Sequence, residues 1–292
     1  MSPSAARVAT LDGVQAGAWT NPPHSGPATF HFALDVADAA TREVFSAQFR
    51  RELIALEHWG RHGGWSAAEV PQLQVLVSDR YKISKSLVPA WYGHAGHLEF
   101  PARRVMAGQA AIMHELAHVY FPNANRLLAE GLAIYLQAVI GGNAAFPNFG
   151  RPLHECAYAI LCDIAPDWLS SGAAVLPIIN HLDGIPTPNP LTLELGGVGY
   201  GEDRRGQSAI YGLVGSFAQF LIERRGLAAF HALYLRTPFT PSRQDAGKPE
   251  RWQEIYQEPL SELAAAWRHM LSTLQHVTSE RMARSQQEDG NA

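Results

Sequence analysis

Apolar positions in the first hundred residues switch between two periods. Residues 28–34 (Ala-Thr-Phe-His-Phe-Ala-Leu) alternate large and small side chains in the manner of a strand. From 38 to 59 the apolar positions fall three and four apart, at Val44, Phe45, Phe49, Leu53 and Leu56. That spacing predicts an amphipathic helix, ending near Gly60, Gly63 and Gly64. Residues 73–77 and 97–100, the latter stopped by Pro101, read as two more strands, giving the order strand, helix, strand, strand.

Beyond Pro101 the period becomes helical. Residues 105–120 and 126–140 read as two helices joined by Phe121-Pro122-Asn123-Ala124-Asn125, where Pro122 closes the first and either Asn can cap the second. The glycine- and proline-bearing stretch 141–152 is the best lobe boundary. After it come helical patterns at 153–164, 167–181, 207–225, 227–236 and 249–276. Residues 183–205 lack a period and are too long for a simple connector, so they are expected to cover something. The domain reading is a loose leader at 1–26, an N-terminal lobe at 27–150, a helical C-terminal lobe at 151–276 and a polar tail at 277–292. The fold class expected from this order is α+β.

The chain has 292 residues, 47% of them apolar and 17% charged, which provides for a sizeable core and argues against a disordered polymer. Its 23 basic and 27 acidic side chains give a net charge of −4 without a run of either sign. No basic stripe suggests a nucleic-acid partner, and no stretch approaches the roughly 20 apolar residues of a membrane span. The N-terminus carries no secretory pattern, so the default expectation is the cytoplasm, or secretion if the N-terminus is trimmed. Cys156 and Cys162 lie six residues apart in a helical pattern, poor spacing for a bridge, and read as reduced thiols.

The chemistry lies in Met113-His114-Glu115-Leu116-Ala117-His118-Val119, an H-E-x-x-H sequence within a helical pattern. Four helical residues turn about 400°, so His114 and His118 point the same way one turn apart and can reach one tetrahedral metal ion. Glu115 lies about 100° round from His114, too far to the side to ligate easily but placed to act as a general base on a water. Ala111, Ile112, Leu116, Ala117 and Val119 surround these polar residues, which predicts a buried helix whose His, Glu and His need partners. On the next helix, Glu130 stands in the apolar run Ala129-Glu130-Gly131-Leu132-Ala133-Ile134-Tyr135. Gly131 and its neighbouring alanines would allow close helix approach, and Glu130 would complete two His and one Glu, leaving a fourth position open.

His114-Glu115-Leu116-Ala117-His118, followed by Glu130-Gly131-Leu132-Ala133-Ile134-Tyr135, resembles the gluzincin zinc metallopeptidases, most closely the peptidase MA-like branch with its E-G-x-A-x-Y second helix. Residues 97–101 resemble the edge strand that precedes the zinc helix and aligns substrate. Residues 211–222 resemble the downstream helix, and 260–267 the C-terminal helix, so the likeness spans roughly 28–275. It implies a zincin-like fold with a small N-terminal sheet, a mostly helical C-terminal lobe and a cleft between them. It also implies a Zn2+ ion on His114, His118 and Glu130, a peptide or protein substrate, Glu115 as general base, and Tyr211 as donor to the oxyanion of the intermediate.

Departures narrow the likeness. Phe121 and Ala124 exclude the metzincin pattern, and Ile134 stands where thermolysin-like enzymes carry an Asp that orients a zinc histidine. Gly93-His94-Ala95-Gly96-His97 replaces the exopeptidase G-x-M-E-N motif, so an aminopeptidase would lack its amine-binding Glu. His94 and His97 read as polar loop groups, with ligation or substrate contact as the alternative. Two rival functions remain at this level: a zinc hydrolase of a non-peptide substrate, and a catalytically silent zinc-dependent binding module.

Overall fold

The computed structural model describes residues 28–33, 38–68, 70, 72–87, 96–123, 125–164, 169, 179, 182–183, 204–237 and 248–289, the side chains of 164, 204–208 and 275–289 excepted. The leader, Leu34, His94, His181, almost all of 167–181 and most of 183–205 lie outside these residues. Four strands form one mixed sheet: β1 (Ala28–Phe32), β2 (Leu73–Ser78), β3 (Lys85–Leu87) and β4 (Gly96–Pro101), in the order β1-β2-β4-β3. β1 and β4 run parallel to β2, and β3 runs antiparallel to β4. The helices are α1 (Ala39–His62), α2 (Ala102–Met106), α3 (Ile112–Tyr120), α4 (Arg126–Val139), α5 (Leu153–Ile164), α6 (Arg204–Arg236), α7 (Glu250–Tyr256) and α8 (Leu260–Asp289). The chain is thus α+β, a small sheet among many helices. Among the described residues no helix is long and apolar enough to cross a membrane.

A parallel pair needs a crossover, and α1 supplies it between β1 and β2. Asp38 caps the helix by accepting from the Thr41 amide at 2.7 Å. Phe45, Phe49, Leu53 and Leu56 bury its inner face, whereas Val44, expected on that face, is 65% exposed. In the sheet, Leu73, Val75 and Val77 on β2 pair with Gly96, Leu98 and Phe100 on β4, and all six are buried. One apolar core runs from Phe45 in α1 to Leu271 in α8, across the 141–152 break.

Three expectations are corrected. The helix read as 105–120 is two, because Gly108 takes φ +64 and the chain turns through residues 107–111 before α3 starts. Residues 97–101 are not an edge strand: β4 is paired on both sides, and the short β3 takes the edge. The pattern at 249–276 is interrupted at Gln257, in a left-handed conformation (φ 58), and α8 continues to Asp289. The patterns at 207–225 and 227–236 meet at Gly226, the non-helical point inside α6.

Candidate metal centre and adjoining cavity

Two packed helices carry the candidate ligands. α3 is buried nearly all round, so its polar side chains must be satisfied from within the protein. Its N-terminus has no side-chain cap of its own. Instead Gln137 of α4 accepts the His114 amide at 3.2 Å, donates to Asn143 Oδ1 at 3.0 Å, and Asn143 in turn donates to Ala110 O at 2.7 Å. This clamp satisfies one of the orphan amides of a helix start and fixes α3 against α4. α4 is itself capped by Asn125, which accepts from the Leu128 amide at 3.1 Å. At Gly131 a Cβ would meet Ala218 Cβ at 3.0 Å and Val214 O at 3.1 Å, so α4 and α6 approach as closely as the glycine permits.

This packing brings three donor atoms together. Glu130 Oε2 lies 3.3 Å from His114 Nε2 and 3.2 Å from His118 Nε2, and the two imidazole nitrogens are 3.2 Å apart. A tetrahedral metal with bonds of 2.0–2.1 Å sets its ligand atoms about 3.3 Å apart, so the triangle has the dimensions of one face of such a site. Two neutral imidazoles have at most two Nε2 protons for the three edges, whereas one cation would satisfy all three atoms. Among the described residues this is the one His/Cys/Asp/Glu group arranged to hold a metal ion.

Arg126 was not foreseen. Its guanidinium pairs with Glu130 Oε1 at 2.8 Å, an i,i+4 contact along α4 that leaves Oε2 for the histidines. Burial works to raise the Glu130 carboxyl, but His118, His114 and Arg126 outweigh it and hold the group well below the usual carboxylate range. The buried Nδ1 of His114 has no partner among the described residues. Ile134, standing where a carboxylate would orient a histidine, is fully buried and faces Gly215, a position where a Cβ would come within 2.4 Å of the Ile134 side chain.

Glu115 stays outside the triangle. Burial, partly countered by His114, pushes its carboxyl up to about 7, with the nearby Ser86 of β3 working to lower it. The edge strand therefore reaches the site through a serine that three residues of strand were too short to reveal. Glu115 and His114 open on a cavity of about 470 Å³. Tyr211 of α6 lines the same cavity, its ring edge-on to His114 (centroids 5.9 Å) and to Phe146 (5.4 Å). His97 sits within β4 and takes no part in the triangle.

A second constellation has hydrolase-like composition and no access. Ser216 Oγ accepts from Trp267 Nε1 at 3.0 Å and so gives its own proton to His154 Nδ1 at 2.8 Å, leaving His154 Nε2 to donate to Glu223 at 3.1 Å. Ser216 is fully buried, so this chain of bonds ties α5, α6 and α8 together and presents no nucleophile. Cys156 and Cys162 are free thiols, one buried and one exposed. Comparison with known protein families, curated proteins and solved structures finds no match.

Proposed function

We propose that the chain is a zinc-dependent peptidase of zincin type, as the resemblance of its two motif helices to the gluzincins implies. The observation that carries this reading is the convergence of His114 Nε2, His118 Nε2 and Glu130 Oε2 at tetrahedral-edge distances, with Glu115 beside them and a cavity in front. The donor set, two imidazoles and one carboxylate, is the composition of a catalytic zinc site with an open position. Zinc bound there supplies Lewis-acid polarisation of a carbonyl and brings the pKa of a water down to about 7.

Glu115, beside the triangle and facing the cavity, takes the proton from the attacking water and returns it to the departing nitrogen. Tyr211, beside His114, donates its hydroxyl to the oxygen that gains charge when the carbonyl becomes tetrahedral. Arg126 pairs with Glu130 Oε1 and so orients the carboxylate whose Oε2 would hold the metal.

The reading is tested by elemental analysis of purified protein together with a broad peptide-cleavage screen. We expect about one zinc per chain, its loss in His118→Ala, and cleavage that a chelator stops. Full zinc content in His118→Ala would sink the ligand assignment, and a zinc-loaded wild type that cleaves no peptide would sink the activity.

A further inference from the structure

The wall of the cavity carries charge that the proposed reaction does not use. Arg103 and Arg104 on α2 and Lys82, in the turn between β2 and β3, line it, and among the described residues Glu115 is the only carboxylate that does. The chain as a whole has net charge −4, so three cations around one carboxylate depart from its average surface. Among the described residues neither Arg103 nor Lys82 forms an ion pair. Both are nevertheless placed: Arg103 donates to the backbone oxygen of Lys82 at 3.0 Å, which fastens α2 to the turn and sets the two cations on one rim. Arg104 is held by Gln109 Oε1 at 3.0 Å and lies over the Phe149 ring at 5.3 Å. Phe146 and Tyr211 add an aromatic wall. The volume, about 470 Å³, lies in the range of small-ligand pockets and admits a short peptide segment.

Resting on the peptidase reading, we infer that this cavity selects a peptide segment bearing a carboxylate, bound by Arg103 and Lys82, with its apolar part against Phe146 and Tyr211. A guanidinium pairs with a carboxylate through two parallel hydrogen bonds, and one already fixed by a neighbour has less rotamer freedom to lose on binding. The carboxylate has two sources in a peptide, an acidic side chain or the chain terminus.

Full-length Glu115→Gln protein supplied with zinc binds peptide without consuming it and serves as the test. Affinities are measured for capped peptides that differ only by Glu or Gln at one position, and for neutral peptides ending in a free carboxylate or an amide. The expected result is that one charged member binds about tenfold tighter than its neutral twin, the pair concerned identifying the source. Arg103→Gln and Lys82→Gln in the same background should each reduce that preference to about threefold or less, while Arg103→Lys keeps most of it. Equal affinity within both pairs, or a preference that survives the double replacement of Arg103 and Lys82 and so comes from the metal, would overturn the inference. A carboxylate preference alongside a zinc-loaded wild type that cleaves no peptide would refute the peptidase reading and leave the cavity assignment standing. Peptide cleavage by wild type with no charge preference would do the reverse.

Discussion

The two oxygens of Glu130 have different partners, and the difference is testable. Oε1 holds Arg126 while Oε2 faces both imidazoles. Arg126→Met removes the restraint without removing a ligand, so zinc affinity should fall about 10- to 100-fold with the fold retained, as for other residues that orient a metal ligand. Competition against a zinc indicator measures this; unchanged affinity would mean that Glu130 is held by packing alone. Glu115 gives a pH prediction for the metal-free protein. Its carboxyl is raised from 4.5 to about 7 in the fold, so the stability linked to its protonation is fully present below about 4.5 and lost as pH rises through about 7. Glu115→Gln is neutral throughout. Metal-free Glu115→Gln should therefore gain on wild type across that window, by at most about 3 kcal/mol. Urea unfolding of both proteins between pH 5 and 8 measures the gap, and parallel curves would contradict the assignment.

Close approach of helices is what holds the two elements that carry the candidate ligands in register. Gly131→Leu puts side-chain atoms where Ala218 and the Val214 carbonyl already lie, so it should cost about 1–3 kcal/mol in chemical unfolding and weaken zinc binding by shifting α4. An equally stable variant with normal zinc affinity would show that the interface yields. Glycine and alanine beside Glu130 made this contact legible, as the i,i+4 histidines placed the candidate ligands on one face of α3 and the short runs at 73–77 and 97–100 pointed to the sheet. Other parts were hidden for physical reasons. Lys85-Ser86-Leu87 is too short to show a period, so the true edge strand passed as loop and the role of its serine with it. Residues 107–111 hold no proline and keep a helical composition, and the positive φ of Gly108 together with the non-helical ψ of Ala111 separates α2 from α3. Gln137 resembles ordinary helix filler, yet it lies two turns beyond Glu130 on a buried face, which was the available signal for a polar clamp.

At the scale of the molecule, the candidate centre lies where the two halves of the sequence share one core. His114, Glu115 and Glu130 come from elements packed on the sheet and on α6, and the cavity in front of them is closed by Phe146, from the 141–152 break, and by Tyr211 of α6. The network of Asp183 with Asn125, Arg251 and Trp252 reinforces this seam, joining the cap of α4 to α7. An arrangement that gathers three polar groups, two of them buried, around one point makes sense if that point binds a cation, and a base beside it makes sense if a reaction occurs there. Glu115→Gln separates those two statements, because the amide is nearly isosteric, removes no ligand and cannot accept a proton. The direct measurement is zinc content and peptide hydrolysis on one preparation of that variant beside wild type. The account predicts wild-type zinc content with turnover reduced by on the order of 10² to 10⁴ fold; peptide hydrolysis undiminished in zinc-loaded Glu115→Gln would contradict it.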